Sequence, residues 1–87
     1  MKETKMAISG YVLIETEVGR TQAVGEAIRA LEPNSAKVTS VDTVTGPFDV
    51  IVQLSAEDLD SLAKIITDDL QMLEGVQRTT TCLSLNL

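Results

Sequence analysis

The pattern of apolar and polar positions predicts six elements of secondary structure, three of them in the first half of the chain. Residues 6–15 form an apolar block that is unbroken at positions 11–14, which favours a strand buried on two faces. From residue 20 to residue 31 the apolar positions recur at helical spacing, and a following Pro-Asn pair ends this predicted helix. Residues 37–45 are rich in β-branched side chains and predict a second strand.

The second half repeats this order of elements without an evident sequence repeat. A Gly-Pro turn leads into a third predicted strand at residues 49–54, and Ser55 is expected to cap a second helix. Gly75 stands where a left-handed helix C-cap is needed, and residues 76–87 predict a last strand. The second helix carries one apolar stripe of residues three or four positions apart, namely Leu59, Leu62, Ile66, Leu70 and Leu73.

The resulting order β-α-β-β-α-β is typical of the ferredoxin-like α+β fold. We therefore expect a single domain over residues 1–87, in which two helices cover one face of a four-stranded antiparallel sheet. The other face is left open. A dimeric α+β barrel is the expected way of covering such a face.

Apolar residues of both parities on the predicted strands suggest that the open face is apolar too. On the first strand the open face carries either Tyr11 and Leu13 or Val12 and Ile14. On the third strand it carries either Ile51 and Gln53 or Val50, Val52 and Leu54. On the last strand Leu83, Leu85 and Leu87 share one parity. Soluble monomers avoid a wet apolar patch of that kind, so we expect a face-to-face homodimer.

Composition removes several classes of function. The 87 residues contain one cysteine and no histidine, which excludes an internal disulfide, imidazole metal ligands and a histidine base. The net charge of −6 opposes binding to nucleic acid or to an anionic membrane. There is neither a membrane-length apolar run nor a signal-like segment. We expect a cytoplasmic protein without a cofactor or metal and without catalytic residues.

Two groups of reactive side chains have a plainer interpretation. The second helix is rich in carboxylates, which could bind a divalent cation but more simply form a solvated surface. Cys82 has no accompanying base, so we interpret it as a small buried hydrophobe and not as a nucleophile.

A candidate site joins the Gly-Pro turn to the last strand. Asp49 follows a glycine whose backbone can approach a ligand closely, and residues 79–81 are three threonines. The carboxylate of Asp49 could accept hydrogen bonds from the ammonium group of an amino acid, and the threonine hydroxyls could donate to its carboxylate. The alternative is structural, because Gly-Pro turns often carry Asp and threonine is a good strand residue.

Four parts of the sequence resemble the Lrp/AsnC effector domain, also called the RAM domain, of leucine- and asparagine-responsive transcription regulators. They are residues 11–14, Gly19, the Val-Asp-Thr-Val-Thr-Gly-Pro-Phe-Asp-Val segment at 41–50 and the Gly-Val-Gln-Arg-Thr-Thr-Thr-Cys segment at 75–82. The resemblance extends from about residue 6 to residue 85.

The resemblance implies a binding site for an amino acid effector at contacts between dimers. The family's Gly-x-x-Asp motif falls on Gly46 and Asp49, with Pro47 and Phe48 between them. The threonines that help line the site fall on Thr79 and Thr81. Family dimers often assemble further into octamers or similar rings.

Two features depart from the family pattern. No helix-turn-helix precedes the first strand, so the chain resembles a stand-alone effector domain that does not bind DNA itself. The usual compact Pro-Gly-Val before the second strand is also missing, which bears on the register of that strand.

Three interpretations of function remain open at this point. The first is an oligomeric amino-acid-binding module that modulates transcription through co-assembly with full-length regulators. The second is a small cofactor-free enzyme of the dimeric ferredoxin-like barrel type, a monooxygenase or isomerase, since one fold supports many functions. The third is a structural oligomer with an empty site.

Overall fold

A computed structural model describes residues 8–85. Its strands are β1 (Ile8–Thr16), β2 (Lys37–Thr43), β3 (Val50–Ala56) and β4 (Val76–Leu83), and its helices are α1 (Thr21–Arg29) and α2 (Leu59–Ile65). A π-helical turn, Ile66–Leu70, continues α2. The predicted start of the first strand at residue 6 and the candidate Leu87 lie outside the described residues.

The four strands form one antiparallel sheet in the order β2-β3-β1-β4. This order, with one helix after β1 and one after β3, confirms the predicted ferredoxin-like fold. β1 and β3 lie in the middle of the sheet, and β2 and β4 are its edges. The register of β2 against β3 shifts between Val38 and Ser40, so a bulge interrupts the edge strand in the region where the family pattern departs.

The core lies between the helices and one face of the central strands. On β3 the residues alternate strictly between buried and half-buried, and on β1 Val12, Ile14 and Thr16 are buried between more exposed neighbours. The prediction that positions 11–14 are buried on both faces is therefore wrong for the single chain, since Tyr11 is 40% exposed. The large side chains with less than 2% exposure are Val12, Ile14, Val24, Ile28, Val50, Val52, Leu54, Leu62, Ile65 and Leu70.

The second helix begins later than its sequence indicates. Ser55 belongs to β3, because that strand continues until Ala56 pairs with Ile8, and the prediction that Ser55 caps the helix is wrong. Asp58 is the N-cap, and its Oδ1 accepts a 2.8 Å hydrogen bond from the backbone N–H of Ser61. This bond holds the pKa of Asp58 below its usual range.

The π-helical turn alters the apolar stripe of the second helix. Within it, the N–H of Gln71 donates to the carbonyl of Ile66, five residues earlier, at 2.9 Å. Ile65 just before this turn, Ile66 at its start and Leu70 at its end are all buried. Leu59, a member of the predicted stripe, is 53% exposed because it lies in the first turn of the shortened helix.

Gly75 lies between β4 and the second helical segment, which is α2 together with its π-helical turn (residues 59–70). Its φ of 98° is left-handed, as predicted. The prediction that Gly75 caps the helix is wrong, because the π-helical turn ends at Leu70 and Gln71 is its C-cap. A Cβ atom here would approach Cβ of Arg20 and Cγ2 of Val24 to 3.0 Å, so the position also requires the absence of a side chain. The approach of Gly75 to α1 brings the start of β4 close to the end of β1.

The open face of the sheet is less apolar than predicted. The register places Tyr11, Leu13 and Ile51 on this face, and Leu13 pairs directly with Ile51. Polar residues surround them: Gln53 lies opposite Tyr11 and donates a 3.3 Å hydrogen bond to its hydroxyl. Leu83, the member of the predicted leucine set that lies within β4, does not belong here. Leu83 pairs with Gly10 on the helix side, where the glycine leaves room for it.

Cys82 is exposed, so its interpretation as a buried hydrophobe is wrong. It lies opposite Tyr11 on the open face of the edge strand β4, where no helix covers it. In a single chain this thiol is in contact with solvent.

Candidate functional site

The loop between β2 and β3 is closed by two backbone hydrogen bonds. The N–H of Val44 donates to the carbonyl of Asp49 at 2.9 Å, and the N–H of Asp49 donates to the carbonyl of Ile14 at 2.8 Å. Between these anchors Gly46 has a φ of 147°, which disfavours other residues. Gly46 and Pro47 are exposed, and Phe48 is half-buried. The loop therefore presents its backbone to solvent from two fixed ends.

The side chain of Asp49 turns towards the end of β1. Its Oδ2 accepts a 2.7 Å hydrogen bond from the backbone N–H of Thr16 and a 3.1 Å bond from the Thr16 hydroxyl. Thr16 is 9% exposed, so its polar groups need partners inside the protein. The carboxylate of Asp49 supplies them, and Asp49 has a structural role whether or not it also contacts a ligand.

The hydroxyl of Thr16 also lies 2.8 Å from the hydroxyl of Thr21, the first residue of α1. An ionised carboxylate accepts but cannot donate, so the single proton of the Thr16 hydroxyl points to Asp49. Thr21 must then donate to Thr16. The direction of the proton chain is therefore Thr21 to Thr16 to Asp49.

The threonines of β4 lie on the other side of β1. Thr79 is half-buried opposite Ile14, and its hydroxyl accepts a 3.0 Å hydrogen bond from the side-chain amide of Gln71. Thr81 is exposed opposite Val12. Both therefore share the helix side of the sheet with buried residues of β1, whereas Thr80 lies on the open face.

The two halves of the candidate site are close to the same end of β1 but not to each other. Ile14 pairs with Val50 on one side and with Thr79 on the other. Two strand spacings separate Val50 from Thr79, which is about 10 Å between backbones. The structure thus brings Gly46, Pro47, Phe48 and Asp49 together and places Thr79 and Thr81 apart from them.

The turn after β1 links these halves. Thr16 bonds to Asp49, and the N–H of Glu17 donates to the carbonyl of Gly75 at 2.8 Å, just before β4. An exposed ion pair between Arg20 and Glu74, 2.9 Å long, adds a weak second link. Sequence reasoning missed Thr16 and Thr21, because Thr16 lies just beyond the predicted first strand at residues 6–15 and Thr21 is a polar residue at the start of the predicted helix. A buried hydroxyl that follows the apolar alternation of β1 is the signal that could have identified Thr16.

Two open grooves elsewhere in the described part of the chain are lined mainly by polar residues. One of about 380 Å³ lies between the second helical segment and β4 and includes Gln71, Arg78 and Thr79. Another, of about 410 Å³, lies near the start of α2 and includes Asn34, Ser55 and Ser61. Within residues 8–85, no group of three Cys, His, Asp or Glu side chains could hold a metal ion. No helix in that range is long and apolar enough to cross a membrane.

The fold matches that of a known class of proteins. The fold defines a ferredoxin-like domain, and the family model of the Lrp/AsnC ligand binding domain matches residues 9–87. The chain belongs to this family of ligand-binding domains. No curated protein matches it significantly.

Solved structures agree with this assignment. The chain is 38% identical to TTHA0845 from Thermus thermophilus, with a TM-score of 0.80 over 92% of this chain and 95% of that one. E. coli AsnC is 16% identical with a TM-score of 0.80, over 92% of this chain and 52% of AsnC. The Neisseria meningitidis transcriptional regulator NMB0573, in complex with L-Met, is 17% identical with a TM-score of 0.76, over 91% and 50%. The last two likenesses show the fold, and this chain spans about half the length of either protein.

The bonds between Asp49 and Thr16 generate a prediction on stability. Asp49→Ala leaves the buried N–H and hydroxyl of Thr16 without their acceptor and should lower the free energy of unfolding by about 1–3 kcal/mol. Asp49→Asn keeps a carbonyl oxygen as acceptor and should cost about 1 kcal/mol or less. Urea unfolding at one fixed protein concentration measures both variants. Equal stability of Asp49→Ala and the unchanged protein would contradict the structural role of this carboxylate.

Proposed function

We propose that this domain binds a free amino acid at the 45–49 loop, with Asp49 accepting from the ammonium group of the ligand. The observation that carries the proposal is the fixed carboxylate of Asp49, three residues after the exposed Gly46 of the same loop. A charge-assisted bond from an ammonium group to a held carboxylate is strong, because the acceptor is already oriented. The exposed glycine lets the ligand approach the backbone of the loop.

The threonines of β4 are proposed to receive the carboxylate end of the ligand. The amino and carboxylate groups of an α-amino acid lie less than about 4 Å apart. The backbones of the two halves of the site are about 10 Å apart within one chain. We therefore infer that the loop of one copy and Thr79 and Thr81 of another copy face the same ligand.

An amino acid ligand also agrees with the relatives of the domain. The family is one of ligand-binding domains, and a structural neighbour of this chain was solved with L-Met. At 17% identity that neighbour supports the class of ligand and leaves the preferred side chain open.

The open face of the sheet is proposed to bind the same face of a second copy. Leu13 and Ile51 lie side by side at its centre, and Tyr11 and the thiol of Cys82 adjoin them. Pairing two such faces would cover the apolar centre while polar residues at the rim stay hydrated, as in other interfaces. Dimers of this kind would then assemble through the loops into an octamer or a similar ring.

The physiological role that follows is regulation of amino-acid metabolism in the cytoplasm. With a net charge of −6, this chain would act on transcription through co-assembly with full-length Lrp/AsnC regulators, without contacting DNA itself. A role without catalysis agrees with the family, whose members are described as ligand-binding domains.

A calorimetric screen of the twenty standard amino acids tests the ligand. We expect at least one to bind and Asp49→Asn to weaken its binding by more than about tenfold, because the variant removes the negative charge and keeps the acceptor for Thr16. Asp49→Asn is a sharper test than Asp49→Ala, which also disturbs the loop.

Asp60→Asn is the matched control, since it makes the same change on an exposed part of α2. Its affinity should equal that of the unchanged protein. Mass spectrometry should recover the bound amino acid unaltered, whereas a chemically changed product would favour the enzyme. Binding of none of the twenty, or equal binding by Asp49→Asn, would contradict the proposal.

Sedimentation at micromolar concentration tests the dimer. The unchanged protein should sediment as a dimer or a multiple of it, and Leu13→Glu should shift it to the monomer by placing a charge at the centre of the interface. Met72→Glu, at an exposed apolar position outside the sheet, should leave the assembly intact. A monomeric unchanged protein would refute the face-to-face dimer.

A further inference from the structure

The hydroxyl groups of the buried Thr16 and the half-buried Thr21 form a polar element that the proposed function does not use. Thr16 lies in the strand alternation that otherwise buries Val12 and Ile14. A valine would fill the same space there without any need for hydrogen-bond partners. The structure instead joins two hydroxyls to a carboxylate in one chain, with distances of 2.8 Å and 3.1 Å.

This chain of hydroxyls determines which oxygen of Asp49 can serve a ligand. Two donors of Thr16, the backbone N–H and the hydroxyl, meet at Oδ2. Because a carboxylate is planar, two bonds to one oxygen restrict the rotation of the whole group. Oδ1 is then the oxygen for the ammonium group of the ligand.

Thr21 adds a restraint from outside the loop. It begins α1, and its hydroxyl donates to the Thr16 hydroxyl, which leaves the Thr16 proton for Asp49. Without the Thr21 hydroxyl, the oxygen of the Thr16 hydroxyl loses this donor, and one restraint on the direction of its proton is removed. The first turn of α1 is thereby connected to a loop 28 positions beyond Thr21 in sequence, as the difference between residues 49 and 21 gives.

We propose that Thr16 and Thr21 are positioning residues that orient the carboxylate of Asp49 for an amino acid ligand. The proposal rests on the proposed function, since it assigns a role to residues that do not themselves touch the ligand. It adds that the affinity of the site depends on hydroxyl groups in β1 and α1 and not on the loop and β4 alone.

The experiment compares Thr21→Val with Thr21→Ser, and Thr16→Val with Thr16→Ser. Valine keeps the branched shape and removes the hydroxyl, whereas serine keeps the hydroxyl. Thr67→Val is the matched control, because Thr67 is an exposed threonine of the second helical segment. Thr21 is half-buried and its loss leaves the bonds from Thr16 to Asp49 possible, so Thr21→Val tests the idea even if Thr16→Val fails to fold.

Two measurements are made on each variant. Amide NMR spectra of the ligand-free protein report the positions of Gly46, Phe48 and Asp49, and calorimetry reports affinity for each amino acid that binds the unchanged protein. We expect the valine variants to shift the loop amides and weaken binding by about threefold to tenfold, and the serine variants to restore both. Thr67→Val should change neither.

The outcomes separate this inference from the proposed function. Unaltered loop amides in both valine variants would overturn the positioning role, and so would shifted amides with unaltered affinity. Weaker binding that serine does not restore would also overturn it, since loss of the hydroxyl would not be the cause. If the unchanged protein binds none of the amino acids, the proposed function itself fails, and this is seen before any substitution is made.

Discussion

The pairing of β1 with strands on both of its sides is the constraint on which the site depends. Ile14 is fully buried, pairs with Val50 and with Thr79, and accepts the N–H of Asp49 through its carbonyl. A slip of one residue in this register would turn the core side chains of β1 to the open face and move both halves of the site. The same buried face that drives folding thus determines where the ligand loop and the threonines of β4 emerge.

One carboxylate serves both stability and binding in this account. Asp49 satisfies the buried donors of Thr16 through Oδ2, and its other oxygen, Oδ1, is the one that we assign to the ligand. Such sharing makes binding preorganised, because the acceptor is held before the ligand arrives. It also means that removal of the whole side chain disturbs folding and binding together, whereas removal of its charge separates them.

The sequence predicted the fold well because strands and helices leave periodic patterns. The order of elements, the turn at Gly46 and the left-handed Gly75 all follow from local rules. Local rules do not predict the exposure of Cys82, because it depends on which strand lies at the edge of the sheet. They also do not predict the α2 cap, because its position depends on the residue at which the pairing of β3 with β1 ends. The contact of Thr16 with Asp49 joins residues 33 positions apart, and no local sequence pattern predicts it. The sequence also does not predict which copy of the chain contributes each half of the site, because this depends on how the copies assemble.

A crystal structure of the protein with a bound amino acid tests the central claim most directly. We expect an ammonium nitrogen within about 3.2 Å of Oδ1 of Asp49, while Oδ2 still accepts from Thr16. We also expect the ligand carboxylate to face Thr79 or Thr81 of a second copy. A ligand bound elsewhere, for instance in the groove beside Asn34 and Ser61, with Asp49 uninvolved, would contradict the claim.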